Sequence, residues 1–198
     1  MTKNLSFAAF DVETANPKYG SICSIGVAIV RNGERVSTQQ WLCRPPEPVS
    51  AFAPRNIGIH KITPSMVADQ PSFGQRWQEI RSVIGDLPVV AHNAQFDMGA
   101  VHQACGHSRV PVPTWVYGCT KVWAKRQLLL EKYQLKTVAH ALEVRLDNHH
   151  DAGADATAAA DIAIRLAQLG GADDLPGLAR ATRTQLGHLS PAGKRDCR

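Results

Sequence analysis

The sequence predicts a mixed α/β domain, with one layer of β-sheet and helices packed on it. Three observations predict this class. Strand-like segments follow one another directly at the start of the chain, and helical and strand-like patterns alternate after them. The chain has 198 residues, 44% of them hydrophobic, which suits one domain with a full core. The order of the elements gives a five-stranded sheet, an antiparallel meander followed by parallel strands.

The meander is predicted from two apolar strands and a turn. Residues 5–12 are apolar on both faces, as in a central strand, and residues 21–30 form the second strand. Asn32-Gly33 then favours a two-residue hairpin, because both positions tolerate positive φ, and residues 35–43 return as the third strand. The prolines of residues 44–48 cannot continue a ladder, so the meander should end there.

The rest of the chain alternates between helical patterns and short strands. Apolar residues recur at helical spacing in residues 72–85, which predicts an amphipathic helix. The other predicted elements are a short helical piece at 63–67, a buried strand at 88–92, a helix at 96–105 stopped by Gly106, a strand at 115–120, a short helix at 135–142, and an Ala-rich helix at 151–169 ended by Gly170-Gly171.

The chain divides into two parts of unequal size. Residues 1–170 are predicted to form the main domain, and residues 171–198 a basic C-terminal tail that is partly helical or disordered. Within the tail, residues 191–198 are expected to be frayed. The net charge of +5 fits an anionic partner such as nucleic acid.

Membrane insertion and a disulfide scaffold are not expected. No apolar run approaches the roughly 18 residues that a membrane span needs. The N-terminus leads into strand-like sequence without an apolar signal segment, so the cytoplasm is the predicted location. The five cysteines are odd in number and show no CxxC spacing, which argues against disulfides and a structural zinc site.

Two acids stand together at the end of the first predicted strand. Side chains at i and i+2 of a strand share a face, so Asp11 and Glu13 point the same way, on the face that Phe7 and Ala9 occupy earlier. An acid pair facing solvent is the ordinary interpretation of this motif alone. If the pair is partly buried, the two charges repel each other by energies of about 1 kcal/mol or more, unless a cation lies between them.

Two more aspartates head the apolar stripes of predicted helices. Asp97 is followed by Val101 and Ala104, at i+4 and i+7. Asp155 is followed at helical spacing by a longer apolar series: Ala159, Ile162, Leu166 and Leu169. An acid in a first turn is also favoured by the helix dipole, and Asp151 is expected to have that role or to cap the helix.

Four acids in apolar positions need positive compensation, because an unpaired buried carboxylate costs several kcal/mol. A pair of divalent ions is the simplest source, and hard oxygen ligands favour Mg²⁺ or Mn²⁺ over zinc. Two such ions roughly 3.5–4 Å apart can clamp a scissile phosphate. The acids therefore predict a metal-dependent phosphodiesterase. His149 and His150 precede the Asp155 helix, and the residues alone do not choose between them as the general base.

In combination, these segments resemble the DnaQ-like 3′–5′ exonucleases of the DEDDh type, which have a ribonuclease H-like fold. The resemblance covers about residues 5–170. It is carried by four segments: Asp11-Val12-Glu13, similar to the first motif; HNAQFD at residues 92–97, similar to the second; His150 followed after four residues by Asp155-Ala156, similar to the third; and GIHKIT at residues 58–63, similar to the family's segment between the third strand and the first helix.

The resemblance implies roles for the matching residues. His150, rather than His149, would be the general base. Four acids would hold two Mg²⁺ or Mn²⁺ ions: Asp11, Glu13, Asp97 and Asp155. Five residues are weaker candidates for substrate contact or support of the site: Thr14, Asn93, His60, Ile62 and Phe96. Of these, Phe96, His60 and Ile62 are candidates for stacking on the terminal base.

The implied activity is hydrolysis at single-stranded or frayed 3′ ends of nucleic acid, with DNA favoured and nucleoside 5′-monophosphates released. An RNA-processing exoribonuclease with the same five residues is one alternative. A catalytically silent nucleic-acid-binding or polymerase-accessory module is another. A DNA polymerase and a second copy of the chain are the protein partners considered. The chain has no long extension after the third motif, which argues against a tethered proofreading role.

Overall fold

A computed structural model describes residues 2–198 of the protein. It contains one sheet flanked by helices, and the strands are, in chain order, β1 (Phe7–Thr14), β2 (Ile22–Arg31), β3 (Glu34–Leu42), β4 (Val89–Ala91), β5 (Trp115–Cys119), β6 (Gly187–Ser190) and β7 (Gly193–Arg195). The helices are α1 (Pro54–His60), α2 (Pro64–Val67), α3 (Phe73–Ile84), α4 (Gln95–Ser108), α5 (Thr120–Gln127), α6 (Leu135–Ala141), α7 (Ala152–Leu169) and α8 (Leu175–Ala181).

The sheet is mixed, as predicted, and its strand order is β3-β2-β1-β4-β5-β6-β7. The meander β1-β2-β3 is antiparallel, and its predicted hairpin is confirmed by positive φ at Asn32 (53°) and Gly33 (81°). Strands β4 and β5 run parallel to β1. The carboxyl ends of β1, β4 and β5 therefore meet at one edge of the sheet, where the acid-bearing segments begin or end.

The two faces of β1 enter different cores. Ala8, Phe10 and Val12 pack with residues of α3 and α4, whereas Phe7 and Ala9 pack with the alanine-rich face of α7. The alternation of a strand then directs the next residues on the second face, which include Asp11, toward the start of α7. The predicted shared face of β1 is confirmed.

A glycine in β2 allows α7 to come close to the sheet. Gly26 pairs with Asp11 across the ladder, and a Cβ atom built on Gly26 would lie 1.9 Å from the carbonyl oxygen of Ala152. No side chain fits in that space. Gly26 thus lets the first turn of α7, which carries Asp155, lie directly over the strand pair that carries Asp11 and Glu13.

Several helix boundaries differ from the prediction. Helices α1 and α5 lie in stretches predicted to be connecting or partly strand-like, and both are short, so neither shows a full apolar stripe. Gly106 does not stop α4, which continues to Ser108 and ends at Arg109 in the left-handed region (φ 54°). Leu169 was expected in the core-facing stripe of α7 but is 63% exposed at the end of the helix.

The end of the chain is folded into the sheet, whereas the sequence analysis expected a frayed tail. Helix α8 begins at the cap Asp174 and buries Leu175 and Leu178, and β6-β7 then add two strands beyond β5. The hydroxyl of Tyr117 donates to Asp196 Oδ1 at 2.9 Å, which holds the last residues against β5. These two strands explain why the sheet has seven strands rather than five. The proposed division at residue 170 stays a prediction.

Four of the cysteines are buried and free, and Cys197 is half-buried and also free, as the spacing predicted. No helix within residues 2–198 is both long and apolar enough to cross a bilayer.

Candidate active site

Three of the four predicted acids converge at the carboxyl edge of the sheet. Asp11 and Glu13 project from the end of β1, and Asp155 projects from the first turn of α7. Each contributes a carboxylate oxygen to a set whose members all lie within 4.8 Å of one another. Asp155 is only 4% exposed, while Asp11 and Glu13 are half-buried. The site is thus open to solvent from the side of β1.

Asp97 lies behind this set and is 2% exposed. Its Oδ1 accepts a hydrogen bond from the backbone nitrogen of Val12 at 3.3 Å, so it joins the start of α4 to the middle of the acid pair on β1. Asp97 does not belong to the group of oxygens within 4.8 Å. Its charge still acts on the site, because it raises the pKa of both Asp11 and Glu13.

The cluster is a strongly unfavourable arrangement of negative charge. Removal from water, followed by the charges of Asp97, Glu13 and Asp155, raises the pKa of Asp11 well above its usual value. Removal from water and the charge of Asp155 raise the pKa of Glu13 to about 8. The pKa of Asp97 is raised as well, mainly by burial. Within residues 2–198, no lysine or arginine forms an ion pair with these three acids.

The metal-free protein should therefore lose stability as the pH rises. Glu13 is protonated in the folded state up to about pH 8 but ionises near 4.5 when unfolded. Its contribution is complete below pH 4.5 and is lost as the pH passes 8. Histidines with lowered pKa act in the opposite direction only below about pH 6.5. The melting temperature in EDTA should fall by about 3 °C between pH 7 and 8.5.

Two comparisons make that measurement specific. The Glu13→Gln variant should show a flatter profile over the same pH interval, because it lacks the titrating group. Saturating Mg²⁺ should also flatten the wild-type profile. A wild-type melting temperature that stays constant or rises from pH 7 to 8.5 in EDTA would contradict the raised pKa.

The two histidines before α7 both lie over Asp155, but in different ways. His149 Nδ1 donates to the carboxylate of Asp155, at 3.0 Å from each oxygen. His150 contributes its backbone nitrogen to Asp155 Oδ2 at 3.2 Å, and its ring stacks on that of His149 with a centroid distance of 3.8 Å. His150 has a φ of 74°, and partial burial lowers its pKa. The sequence analysis did not anticipate the contact between His149 and Asp155.

Asp151 has the capping role expected for it. It is the N-cap of α7, and its side chain accepts a hydrogen bond from the backbone nitrogen of Ala154 at 3.0 Å. This bond fixes the direction of the first turn, and so fixes where Asp155 points.

Thr14, His60 and Ile62 are joined in one hydrogen-bonded unit beside the acids. The backbone nitrogen of Ile62 donates to His60 Nδ1 at 3.0 Å, so Nε2 carries the proton and donates to the carbonyl oxygen of Thr14 at 3.1 Å. All three residues are buried. The unit braces the end of β1, and its outer side borders a cavity of about 370 Å³ lined by Gln40, Leu42, His60, Lys61, Ile62, Met66, His150 and Asp151.

Asn93 precedes α4, and Phe96 lies in its first turn. Asn93 adopts a left-handed conformation (φ 70°), and its Oδ1 accepts a hydrogen bond from Lys121 Nζ at 3.2 Å. Phe96 is partly exposed and pairs with the ring of Tyr19 at a centroid distance of 5.9 Å. Lys121 and Tyr19 were not identified from the sequence, because neither stands within a motif.

The residues present fit a pair of divalent cations. Carboxylate oxygens from Asp11, Glu13 and Asp155 already lie close together, and these are the ligands that Mg²⁺ and Mn²⁺ prefer. Burial, followed by repulsion among the acids, raises the pKa of Asp11 and Glu13, and cations between the oxygens would offset both effects. The donor set does not distinguish Mg²⁺ from Mn²⁺.

Comparison with known proteins is consistent with this arrangement. A family model described as exonuclease, RNase T, matches residues 8–163. The chain is 30% identical over 162 residues to the PolC-type DNA polymerase III of Caldanaerobacter subterraneus subsp. tengcongensis, and 30% identical over 165 residues to that of Halalkalibacterium halodurans. Each match covers 81% of this chain and 11% of the relative, so the chain spans about one ninth of their length.

Two solved structures share the fold over most of their length. Exonuclease X, solved in complex with 5′-overhanging duplex DNA, is 27% identical with a TM-score of 0.71, and the match covers 89% of this chain and 99% of that one. The nuclease domain of 3′hExo, a DEDDh family member solved with rAMP, is 19% identical with a TM-score of 0.67, and the match covers 85% and 94% of the two chains. The ribonuclease H-like fold implied by the sequence motifs is confirmed.

Proposed function

The chain belongs to the RNase T exonuclease family, and from that premise we propose that it is a metal-dependent 3′–5′ exonuclease acting on DNA ends. Hydrolysis would release nucleoside 5′-monophosphates from a single-stranded or frayed 3′ terminus. The observation that carries the proposal is the convergence of Asp11, Glu13 and Asp155 within 4.8 Å, beside a cavity that is open to solvent.

The four acids would hold the cations. We assign this role to the three converging carboxylates and to Asp97, whose second oxygen is not used by the hydrogen bond from Val12. Divalent cations held there would supply Lewis acidity toward the phosphodiester and lower the pKa of a bound water. The backbone bond from Val12 keeps Asp97 at a fixed distance from β1, and the cap Asp151 keeps Asp155 in place.

His150 would take the proton of the attacking water. A general base must be unprotonated before it acts, and partial burial lowers the pKa of His150, which favours the neutral imidazole at neutral pH. His150 also lines the 370 Å³ cavity together with Asp151, while the ring of His149 is hydrogen-bonded to Asp155. We therefore propose His150 as the base and His149 as a residue that positions Asp155 in the metal-free state.

The cavity beside His150 would receive the terminal nucleoside. Leu42, Ile62 and Met66 supply an apolar wall, and Met66 is itself about half exposed. Because His60 uses both ring nitrogens on backbone partners, its contribution would be to hold this wall and the end of β1 in place. Thr14 would act through its backbone, which accepts from both His60 and Asn56.

DNA is the proposed substrate because Exonuclease X, the more similar of the two structures above, was solved with DNA, and the PolC-type relatives are DNA polymerases. The first test is a nuclease assay with 5′-labelled single-stranded DNA, 5′-overhanging duplex DNA and single-stranded RNA of matched sequence. In Mg²⁺ or Mn²⁺, the DNA substrates should be shortened from the 3′ end one nucleotide at a time, and EDTA should stop the reaction.

The pattern of products separates the alternatives. Faster shortening of RNA than of DNA would favour the exoribonuclease. Labelled fragments that appear at internal positions from the earliest times would contradict an exonuclease. Absence of cleavage in both metals would contradict the catalytic proposal. Because the relatives carry this domain inside a polymerase, a DNA polymerase is the protein partner that we propose, to be tested by co-purification with the affinity-tagged chain.

A further inference from the structure

One apolar side chain is completely exposed on a tip of the molecule close to the second acid-bearing segment. Leu129 has a relative exposure of 101%, the highest among the large hydrophobic residues described as exposed. It lies between α5 and α6, in the connection of residues 128–134. An exposed leucine on a loop is common, so its meaning depends on whether the loop is held in place and on what surrounds it.

The connection that carries Leu129 is held by one tyrosine. The hydroxyl of Tyr133 donates to the carbonyl oxygen of Leu128 at 2.9 Å and accepts from the backbone nitrogen of Leu130 at 3.2 Å. The two backbone groups that flank Leu129 are therefore bound to the same atom. The carbonyl oxygen of Tyr133 in turn lies 3.0 Å from Nε2 of His92, the first residue of the HNAQFD segment. The tip is fixed relative to the active site.

The charges around the tip are mostly positive. Lys121 and Lys125 are four residues apart on α5, so they share one face of the helix. The helix ends at Gln127 and the backbone of Leu128 is extended, so Leu129 follows in the connection after the helix. Arg126 and Lys132 are also exposed. Residues 120–133 contain four basic residues and one acidic residue, Glu131.

The two lysines of α5 begin beside the second acid-bearing segment. Helix α5 starts at the carboxyl end of β5, which is the edge where the acids converge, and Lys121 Nζ binds Asn93 Oδ1 at 3.2 Å. The eight residues of α5 span roughly 12 Å at about 1.5 Å per residue. A nucleic-acid strand that rises about 3.4 Å per nucleotide would need roughly four nucleotides to cover that distance.

We propose that Lys121, Lys125, Arg126, Leu129 and Lys132, together called the Leu129 surface, bind the single-stranded DNA upstream of the 3′ terminus. The cationic side chains would contact successive phosphates, and Leu129 would contact an unstacked base several nucleotides from the scissile bond. A polyanion is favoured over an apolar protein partner because the leucine stands alone among cations. The position of the 3′ end rests on the proposed function, whereas the surface itself rests on the contacts above.

The surface is tested by measuring the binding of a fluorescent single strand of about 12 nucleotides. Fluorescence anisotropy reports the binding, and EDTA is present so that no hydrolysis occurs. Lys125→Glu/Arg126→Glu should raise the Kd about tenfold and reduce the slope of log K against log salt by roughly 1.4, because two phosphate contacts are lost. Leu129→Ala should raise the Kd roughly threefold without changing the slope, because it removes only an apolar contact.

The matched control variants replace exposed basic and leucine residues that lie outside the Leu129 surface. Arg180→Glu/Arg183→Glu on and after α8 makes the same change of charge, and Leu169→Ala removes an exposed leucine at the end of α7. Both should leave the Kd within about twofold of the wild type. If the α5 double variant and Leu129→Ala also stay within that limit, the surface does not bind the strand and the inference is overturned.

Hydrolysis of substrates of graded length separates this inference from the proposed function. A dinucleotide cannot reach Leu129, so the variants should cleave it with wild-type kcat/KM, while KM for the longer strand should rise. Wild-type cleavage of both substrates with equal KM in every variant would overturn the inference and leave the exonuclease intact. Loss of strand binding in the variants of a protein that cleaves nothing would support the surface and contradict the catalytic proposal.

Discussion

The Asp11→Asn variant should lose about 10³-fold or more of its nuclease activity and should be more stable than the wild type when no metal is present. The activity falls because an amide supplies no negative charge, so the binding of divalent cations by the remaining oxygens weakens. The stability rises at a pH where Asp11 is ionised, because burial and the charges of Asp97, Glu13 and Asp155 disfavour its carboxylate, and an amide of the same shape carries no charge.

Three measurements on the same variant test this expectation. Single-turnover cleavage of a 5′-labelled strand gives the activity, calorimetric titration with Mn²⁺ gives the metal affinity, and thermal unfolding in EDTA at pH 8.5 gives the stability. Asp161→Asn is the matched control, because Asp161 is a partly exposed aspartate of α7 that pairs with Arg35. The control should keep its activity and its metal affinity. A less stable Asp11→Asn protein in EDTA would mean that the carboxylate is stabilised by something other than cations.

The combination of the two effects matters more than either one. A purely structural acid would lower the stability when it is replaced, and an acid facing solvent would change neither quantity. A carboxylate that lies among other carboxylates and binds a ligand behaves differently: its replacement gives a variant that is more stable and less active.

The sequence predicted the acid cluster because each acid broke a pattern. Asp11 and Glu13 continue the buried face begun by Phe7 and Ala9, and Asp155 heads the apolar stripe of α7. A periodic element dictates which way its side chains point, so an acid in the wrong place on such an element reveals its position in the fold. The parallel order of β1, β4 and β5 then brings the segments together.

The features that the sequence did not predict are held by individual contacts that produce no periodic pattern of residues. The hairpin of β6 and β7 is short and polar, and it is stabilised by pairing with β5 and by the bond from Tyr117 to Asp196, none of which leaves a pattern in the chain. The Leu129 tip is likewise fixed by a single tyrosine hydroxyl. His149 contacts Asp155 just before a residue, His150, whose backbone is left-handed, and spacing alone indicates neither feature.

The adjacent histidines give the second large expected effect. His150→Ala should reduce the rate of the chemical step by about 10² to 10⁴-fold, the usual contribution of a general base, and should leave the affinity for Mn²⁺ close to that of the wild type. His149→Ala should reduce the rate by less than about tenfold and should raise the affinity for Mn²⁺, because His149 Nδ1 no longer donates to both oxygens of Asp155.

Each variant is the control for the other, because both remove a histidine side chain, and the two histidine rings stack with a centroid distance of 3.8 Å. Loss of the stack affects both variants equally, so only a difference between them reports the separate roles. Added imidazole should restore part of the rate of His150→Ala and none of that of His149→Ala. If His149→Ala is instead the slow variant that imidazole rescues, the base lies one residue earlier and the hydrogen bond to Asp155 is the catalytic arrangement.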